Sequence, residues 1–260
     1  MKDRADKIIV DRGLAESRHK AQALILAGLV YSEKGRVEKP GQMIPVEAKV
    51  SLKKTMPYAS RGGLKLIEAL EYFKVAPGGK VAADLGCSTG GFTDCLLKEG
   101  AKRVYAVDVD TRQIDMNLRK DPRVVLLEKN ARYLESEDFE DSLDLVTMDL
   151  SFISVLKVLP ALKGILGAGT LIALIKPQFE VGKGQVGRGG IVRSPEMHAD
   201  VLDKILQRAS DMSFFVRGIM RTSVLGQKGN REFFVHWSLH GDALTREQAC
   251  KSIKEAVWDG

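Results

Sequence analysis

The 260-residue chain has little of what several common chemistries require. Its three cysteines, Cys87, Cys95 and Cys250, have no metal-ligand spacing, and their odd number fits reduced thiols of a cytoplasmic protein. The four histidines, His19, His198, His236 and His240, are scattered, so no zinc site is expected. The longest apolar runs, residues 23–27 and 171–175, fall far short of the roughly 20 residues that span a bilayer. No apolar stretch follows the charged start Met1-Lys2-Asp3-Arg4-Ala5-Asp6, so no signal peptide is expected. A Gly-x-Gly-x-x-Gly dinucleotide fingerprint is missing, and no Gly-Lys-Ser/Thr follows a glycine turn as a P-loop demands.

What is present is an ordinary globular composition, 44% hydrophobic and 28% charged, with room for one large domain or a large and a small one. The net charge of +6 is unevenly placed. Residues 1–56 carry twelve Lys/Arg against seven Asp/Glu, a net +5, leaving +1 for the other 204. A basic small module before a near-neutral large one suits a polyanionic partner, although a solvated charged face also produces such an excess.

The centre of the chain is Val81-Ala82-Ala83-Asp84-Leu85-Gly86-Cys87-Ser88-Thr89-Gly90-Gly91-Phe92. An apolar run ends in an acid, glycines turn the chain, and a helical pattern begins at Phe92, Leu96 and Leu97. The next apolar run, Arg103 to Asp108, ends in a second acid 24 residues after Asp84. A carboxylate there can accept hydrogen bonds from ribose hydroxyls. The pattern Asp-x-Gly-x-x-x-Gly-Gly resembles motif I of S-adenosylmethionine-dependent methyltransferases, whose loop lies under the methionine part of the cofactor. A tight βα turn with no ligand is the structural alternative. The resemblance makes Asp84, Gly86, Ser88, Thr89, Gly90, Gly91, Phe92 and Asp108 candidate cofactor residues.

Further strands are expected over Val124 to Leu127, Leu143 to Asp149, Leu171 to Ile175, Phe214 to Ile219 and Glu232 to Leu239. Asn130, after the first of these, sits where methyltransferases place a side chain near adenine. Ser194-Pro195-Glu196 starts a helix running to about Asp211, and Thr245 to Gln248 is a capping box. The whole reads as α/β, a seven-stranded Rossmann-like doubly wound sheet over residues 64–260. Residues 182–190 hold five glycines, which suits a lid, an RNA-contacting loop or a plain connection.

Ahead of this domain, helices are expected over residues 3–12 and Arg18 to Ala27, with small strands at Val30-Tyr31 and Val46 to Leu52. Arg4-x-Asp6 with Gly13-Leu14-Ala15-x-Ser17-Arg18 and Leu26-Ala27-Gly28-Leu29-Val30 is similar to an S4-type RNA-binding module over residues 1–54. The resemblance implies that Arg18 and Lys20, with Arg4 and Lys7 nearby, meet RNA. Residues 55–63 lose apolar periodicity and read as a linker. The helix after them carries a stripe of Leu66, Ile67, Leu70 and Phe73, and Lys65 on that wheel reads as solvated.

Lys65, Asp149, Lys176 and Glu232 nevertheless match in order the catalytic Lys-Asp-Lys-Glu tetrad of FtsJ-like ribose 2′-O-methyltransferases. A ribose hydroxyl needs its proton drawn away before it attacks a methyl sulfonium, and a lysine desolvated beside a second ammonium can do this. Rival methylation chemistries fit less well. Asp149-Leu150-Ser151-Phe152 is not the Asp/Asn-Pro-Pro-aromatic motif of amino-methylases, and no cysteine stands where cytosine carbon-5 methylation needs a thiolate.

Together with Ser60-Arg61-Gly62-Gly63-Leu64-Lys65-Leu66 and Ile175-Lys176-Pro177-Gln178-Phe179-Glu180, these segments resemble the TlyA family across nearly the whole chain. The resemblance implies a bacterial rRNA cytidine 2′-O-methyltransferase using S-adenosylmethionine, without a metal, on large-subunit RNA and in some members small-subunit RNA. It also implies that linker residues Ser60 and Arg61 couple RNA docking to cofactor binding. The family's haemolysin label supplies a rival, a membrane-active protein; a non-catalytic RNA-binding scaffold is a third reading.

Overall fold

In the N-terminal unit the chain reverses wherever a side chain or glycine can complete the turn. Strand β1 (Lys2–Arg4) leads straight into helix α1 (Ala5–Asp11). Ser17 Oγ accepts the Lys20 amide at 3.2 Å and opens α2 (Arg18–Leu26), as its cap position predicts. Short strands follow: β2 (Val30–Ser32), β3 (Gly35–Arg36), β4 (Met43–Pro45) and β5 (Val50–Leu52). They form a β3-β2-β5 sheet and a β1-β4 pair, closed over Ile8, Ile9, Ala21, Ile25, Val30 and Ile44. The strand expected over 46–52 is shorter and has a separate predecessor. The chain first pairs with β1, then turns where the Ala48 amide donates to Pro45 O at 3.0 Å.

The structure is a computed structural model that describes all residues but 54, 55, 183–185, 188 and 260, and omits the side chain of 227. It divides into two units, Met1–Met56 and Pro57–Gly260. Position 55 of the expected linker lies outside the described residues, as do four positions of the glycine-rich 182–190 segment, so its lid or RNA-contact reading lies there too. Met56 closes the first unit, and residues 57–63 of the expected linker belong to the second. Ala59 N donates to Asp94 Oδ2 at 2.8 Å, Ser60 caps the next helix, and Arg61 to Gly63 are already helical. Apolar periodicity could not reveal this, because glycines and a capping serine occupy that first turn.

The second unit runs α3 (Arg61–Phe73), β6 (Val81–Leu85), α4 (Gly91–Lys98), β7 (Arg103–Asp108), α5 (Met116–Lys120), β8 (Val124–Glu128), β9 (Leu145–Met148), α6 (Leu159–Ile165) and β10 (Thr170–Ile175). Then come α7 (Pro177–Glu180), α8 (Pro195–Asp211), β11 (Phe215–Arg221), β12 (Phe233–Ser238) and α9 (Arg246–Lys254). The seven sheet strands lie in the order β11-β12-β10-β9-β6-β7-β8. All five residues of β6 are buried, as a central parallel strand covered on both faces requires. One face packs on Leu66, Leu70, Leu96 and Leu118 from α3, α4 and α5, the other on Leu162, Leu202 and Ile253 from α6, α8 and α9.

Register places the chemistry. Leu85 and Ala173 flank Met148, so parallel β6, β9 and β10 end side by side. Antiparallel β12 begins where β10 ends, with Phe233 opposite Ile175. Asp149, Lys176 and Glu232 therefore leave the sheet at one edge although they come from opposite ends of their strands.

Candidate active site

At that edge Lys176 Nζ lies 2.6 Å from Asp149 Oδ1 and donates to Ser151 Oγ at 3.0 Å. Lys65 reaches in from α3 and donates to Glu232 Oε2 at 2.6 Å. The solvated reading of Lys65 is corrected: the residue is only 8% exposed. Its stem lies along a helix whose neighbours Leu66 and Ala69 are sealed, and its ammonium is delivered to a buried carboxylate. All four residues border one cavity of about 320 Å³, with Ser60, Arg61, Gly86, Ser88, Thr89, Gly91 and Phe92. Ser60 and Arg61 thus sit beside the glycine turn rather than in a free linker.

The glycines of the turn serve different ends. Gly86 has φ +85°, and a Cβ there would stand 2.6 Å from Asp149 O, so a side chain would part β6 from β9. A Cβ on Gly91 would collide with Ser60 Oγ. Gly90 borders neither cavity of the cleft; a Cβ there would strike Leu118 of α5.

A second cavity of about 620 Å³ shares Gly86, Ser88, Asp149, Ser151 and Phe152 with the first, so the two form one cleft. Asp108 and Asn130 border it, with Val109 and Leu150. Asp108 accepts the Ser88 amide at 2.9 Å and the Asp110 amide at 3.2 Å, and Asn130 Oδ1 accepts the Arg132 amide at 3.0 Å. Asp84 is different. It is fully buried, takes a hydrogen bond from Thr93 Oγ1 at 2.7 Å, and borders neither cavity. Burial pushes its carboxyl up to about 7, against the Thr93 hydroxyl, which favours the ionised form. Cys87 is buried, which raises its thiol well above the usual range and suits packing, not reaction.

Several cleft residues carry no signal of their own in the sequence. Ser151 holds Lys176, and Gln178 borders the same cavity with its Oε1 buried and unpartnered among the described residues. Phe152 is 89% exposed at φ +64°, its ring 5.0 Å from that of Phe179. A positive φ on a bulky residue is rare and carries no sequence signal of its own. Proximity to Asp149 and Lys176 is the only hint that the sequence offers.

In the N-terminal unit Asp6 is sealed and gathers two of the four RNA candidates. Arg4 grips it through Nε at 3.0 Å and Nη2 at 2.9 Å, and Arg18 Nη2 lies at 3.2 Å. These cations hold the Asp6 carboxyl far below the usual range. Lys7 instead pairs with Asp3 at 2.8 Å, and Lys20 is exposed. Among the described residues no three His, Cys, Asp or Glu side chains could hold a metal, and no helix is long and apolar enough to cross a membrane.

Residues 58–239 match the FtsJ-like methyltransferase family and residues 3–50 the S4 domain. The 16S/23S rRNA (cytidine-2′-O)-methyltransferase TlyA of Mycobacterium tuberculosis is 41% identical over 98% of this chain and 95% of its own. Hemolysin A of Brachyspira hyodysenteriae is 38% identical, over 90% of this chain and 99% of its own. A solved structure from Streptococcus thermophilus that carries a hemolysin name covers 99% of this chain and 95% of its own, with a TM-score of 0.76 and 41% identity.

Proposed function

Because this chain belongs to the TlyA family of FtsJ-like methyltransferases, we propose that it methylates a cytidine ribose 2′-hydroxyl of ribosomal RNA, of the large subunit and also the small. The observation that carries the reading is the meeting of two lysine–carboxylate pairs at the sheet edge, inside a cleft that Asp108 borders farther along.

The cleft suits S-adenosylmethionine in size and in the chemistry of its donors and acceptors. Ligand cavities commonly measure about 300–1,000 Å³. Asp108 offers carboxylate acceptors to a ribose diol, Val109 and Leu150 offer apolar surface to an adenine, and Asn130 stands beside them. Ser60, Arg61 and the turn from Gly86 to Phe92 would hold the methionine end. Bound there, the cofactor supplies an electrophilic methyl on a sulfonium.

The chain's own part is to prepare the hydroxyl. A lysine ammonium has three N–H directions; Ser151 takes one of Lys176's by hydrogen bond and Asp149 Oδ1 lies 2.6 Å away as an ion pair without hydrogen-bond geometry, leaving an N–H for the ribose oxygen. Lys176 donates that N–H to the ribose oxygen and holds the developing alkoxide as the oxygen takes the methyl, while the hydroxyl proton leaves to the Asp149 carboxylate beside it. Lys65 and Glu232 fix the far wall. The exposed Phe152 ring offers a stacking face to an unpaired base at the cleft mouth. Arg4, Lys7, Arg18 and Lys20 of the S4 domain meet RNA phosphates.

Transfer of radiolabelled methyl from S-adenosylmethionine to isolated 50S and 30S subunits tests this. Label is expected in ribose of both RNAs, and Lys176→Ala should lower its rate about 10²- to 10⁴-fold with RNA and cofactor binding near normal. Label on one subunit alone would narrow the substrate. No label on either would overturn the enzyme reading in favour of an RNA-binding scaffold or a membrane-active protein.

A further inference from the structure

Strands β11 and β12 pair antiparallel, with Arg221 opposite Phe233, yet eleven residues, 222–232, join them. Hairpin connections usually take about 2–5. The last residue of this long connection is Glu232, so its aim depends on what holds the loop.

Hydrogen bonds within the loop tie it to itself, the Val224 amide donating to Thr222 Oγ1 at 3.1 Å and the Gly229 amide to Gly226 O at 3.2 Å. The Thr222 amide donates to Glu232 O at 3.2 Å, and the Gly226 amide to Asn230 O at 2.9 Å. Farther along, Asn230 Oδ1 accepts the Val192 amide at 3.1 Å and Asn230 Nδ2 donates to Gly190 O at 3.0 Å; at the loop base the hold comes from α3. Lys65 and Glu68, three apart, share a face of that helix. Lys65 donates to the Glu232 carboxylate at 2.6 Å. Glu68 accepts from Thr222 Oγ1 at 2.8 Å, from the Ser223 amide at 2.9 Å and from Ser223 Oγ. An ammonium and a carboxylate on one helix therefore grip the two residues that face each other across the loop base. Thr222 and Glu232 are 3% and 2% exposed, so water does not share that work.

We propose that Glu68 is a positioning residue of the methyl-transfer reaction: by clamping Thr222 and Ser223 onto α3 it fixes the point from which Glu232 aims at Lys65. The inference rests on the methyltransferase reading. Gly226 belongs to the same device. Its backbone is not left-handed, yet a Cβ there would collide with the Glu232 carboxylate. The loop passes so close to that carboxylate that only glycine leaves it in place.

Steady-state methyl transfer by the full-length chain tests the clamp. Glu68→Ala is expected to lower kcat about 10- to 100-fold, as misplacement on an ångström scale does, with KM for RNA and for S-adenosylmethionine within about twofold. Glu68→Gln keeps an acceptor for the Ser223 amide and should recover kcat to within about threefold, which a requirement for the charge itself would not allow. Gly226→Ala should lower kcat by a similar factor, with a lowered melting temperature because the carboxylate it displaces is the buried partner of Lys65. Should Glu68→Ala fail to fold, Gly226→Ala decides alone. A folded Glu68→Ala or Gly226→Ala with kcat within about twofold of wild type overturns the proposal. An inactive wild type would sink the methyltransferase reading and the clamp with it; an active wild type with unaffected variants sinks the clamp only.

Discussion

The two lysine–carboxylate pairs of the cleft have almost the same separation and very different surroundings. Lys65 and Glu232 leave 10% and 2% of their side chains to solvent; Lys176 and Asp149 leave 12% and 22%. The first pair is sealed under α3 and bridges two elements 167 residues apart in sequence. The second opens on its carboxylate side and keeps a serine hydroxyl on its lysine. Equal bond lengths therefore do not mean equal roles. A sealed pair is hard to exchange with substrate and serves as framework, while an open one can trade its partners during a reaction.

The sharpest way to break that contrast is to truncate each lysine and measure stability beside activity. Lys65→Ala leaves Glu232 buried without a cation, which should cost about 3 kcal/mol or more in urea unfolding. Lys176→Ala leaves a carboxylate whose Oδ1 is buried but whose side chain is 22% exposed, and should cost less, about 1–2 kcal/mol, although its loss of turnover is the larger. Equal destabilisation by both would erase the distinction between framework and working pair.

The next comparison is between Asp84, one residue inside the end of β6, and Asp108, which ends β7, two acids that the sequence presents as equivalents. Asp108 faces the cleft, so Asp108→Ala should weaken S-adenosylmethionine binding about 10- to 100-fold by calorimetry, the worth of hydrogen bonds to a charged group. RNA affinity should not change. Unaltered cofactor affinity would remove Asp108 from the cofactor site.

These pairs also show what could be read from residue order alone. Strand ends are legible because an apolar run is bounded by a charged residue, which singles out Asp149, Lys176 and Glu232; Lys65 on α3 joins them only by the family resemblance. Which way each end points is another matter. Asp84 and Asp108 have the same signature, yet one turns under the glycine loop to Thr93 and the other toward the cleft. The helical stripe by itself reads Lys65 as solvated, because periodicity counts apolar neighbours and cannot see the Glu232 carboxylate arriving from the connection between β11 and β12. Ser151, Gln178 and the loop-holding Glu68 carry no periodic signal at all; their roles depend on contacts made across the fold.

Asp84 carries the comparison to its limit, a sealed carboxylate held by hydroxyls of Thr93 and Thr147 with no lysine beside it. Burial raises its carboxyl from 3.8 to about 7 in the folded chain. Between those values the folded state binds more protons than the unfolded one, so this group makes stability fall as pH rises from about 4 to about 7. Asp84→Asn keeps an acceptor for Thr93 but has no proton to lose. Urea midpoints at about pH 5 and about pH 8 should therefore drop less in the variant than in wild type. The effect concerns one group and leaves both ion pairs intact. An identical drop in both proteins would mean that Asp84 is ionised throughout and that the loop above it, or a cation recruited there, supplies the missing charge.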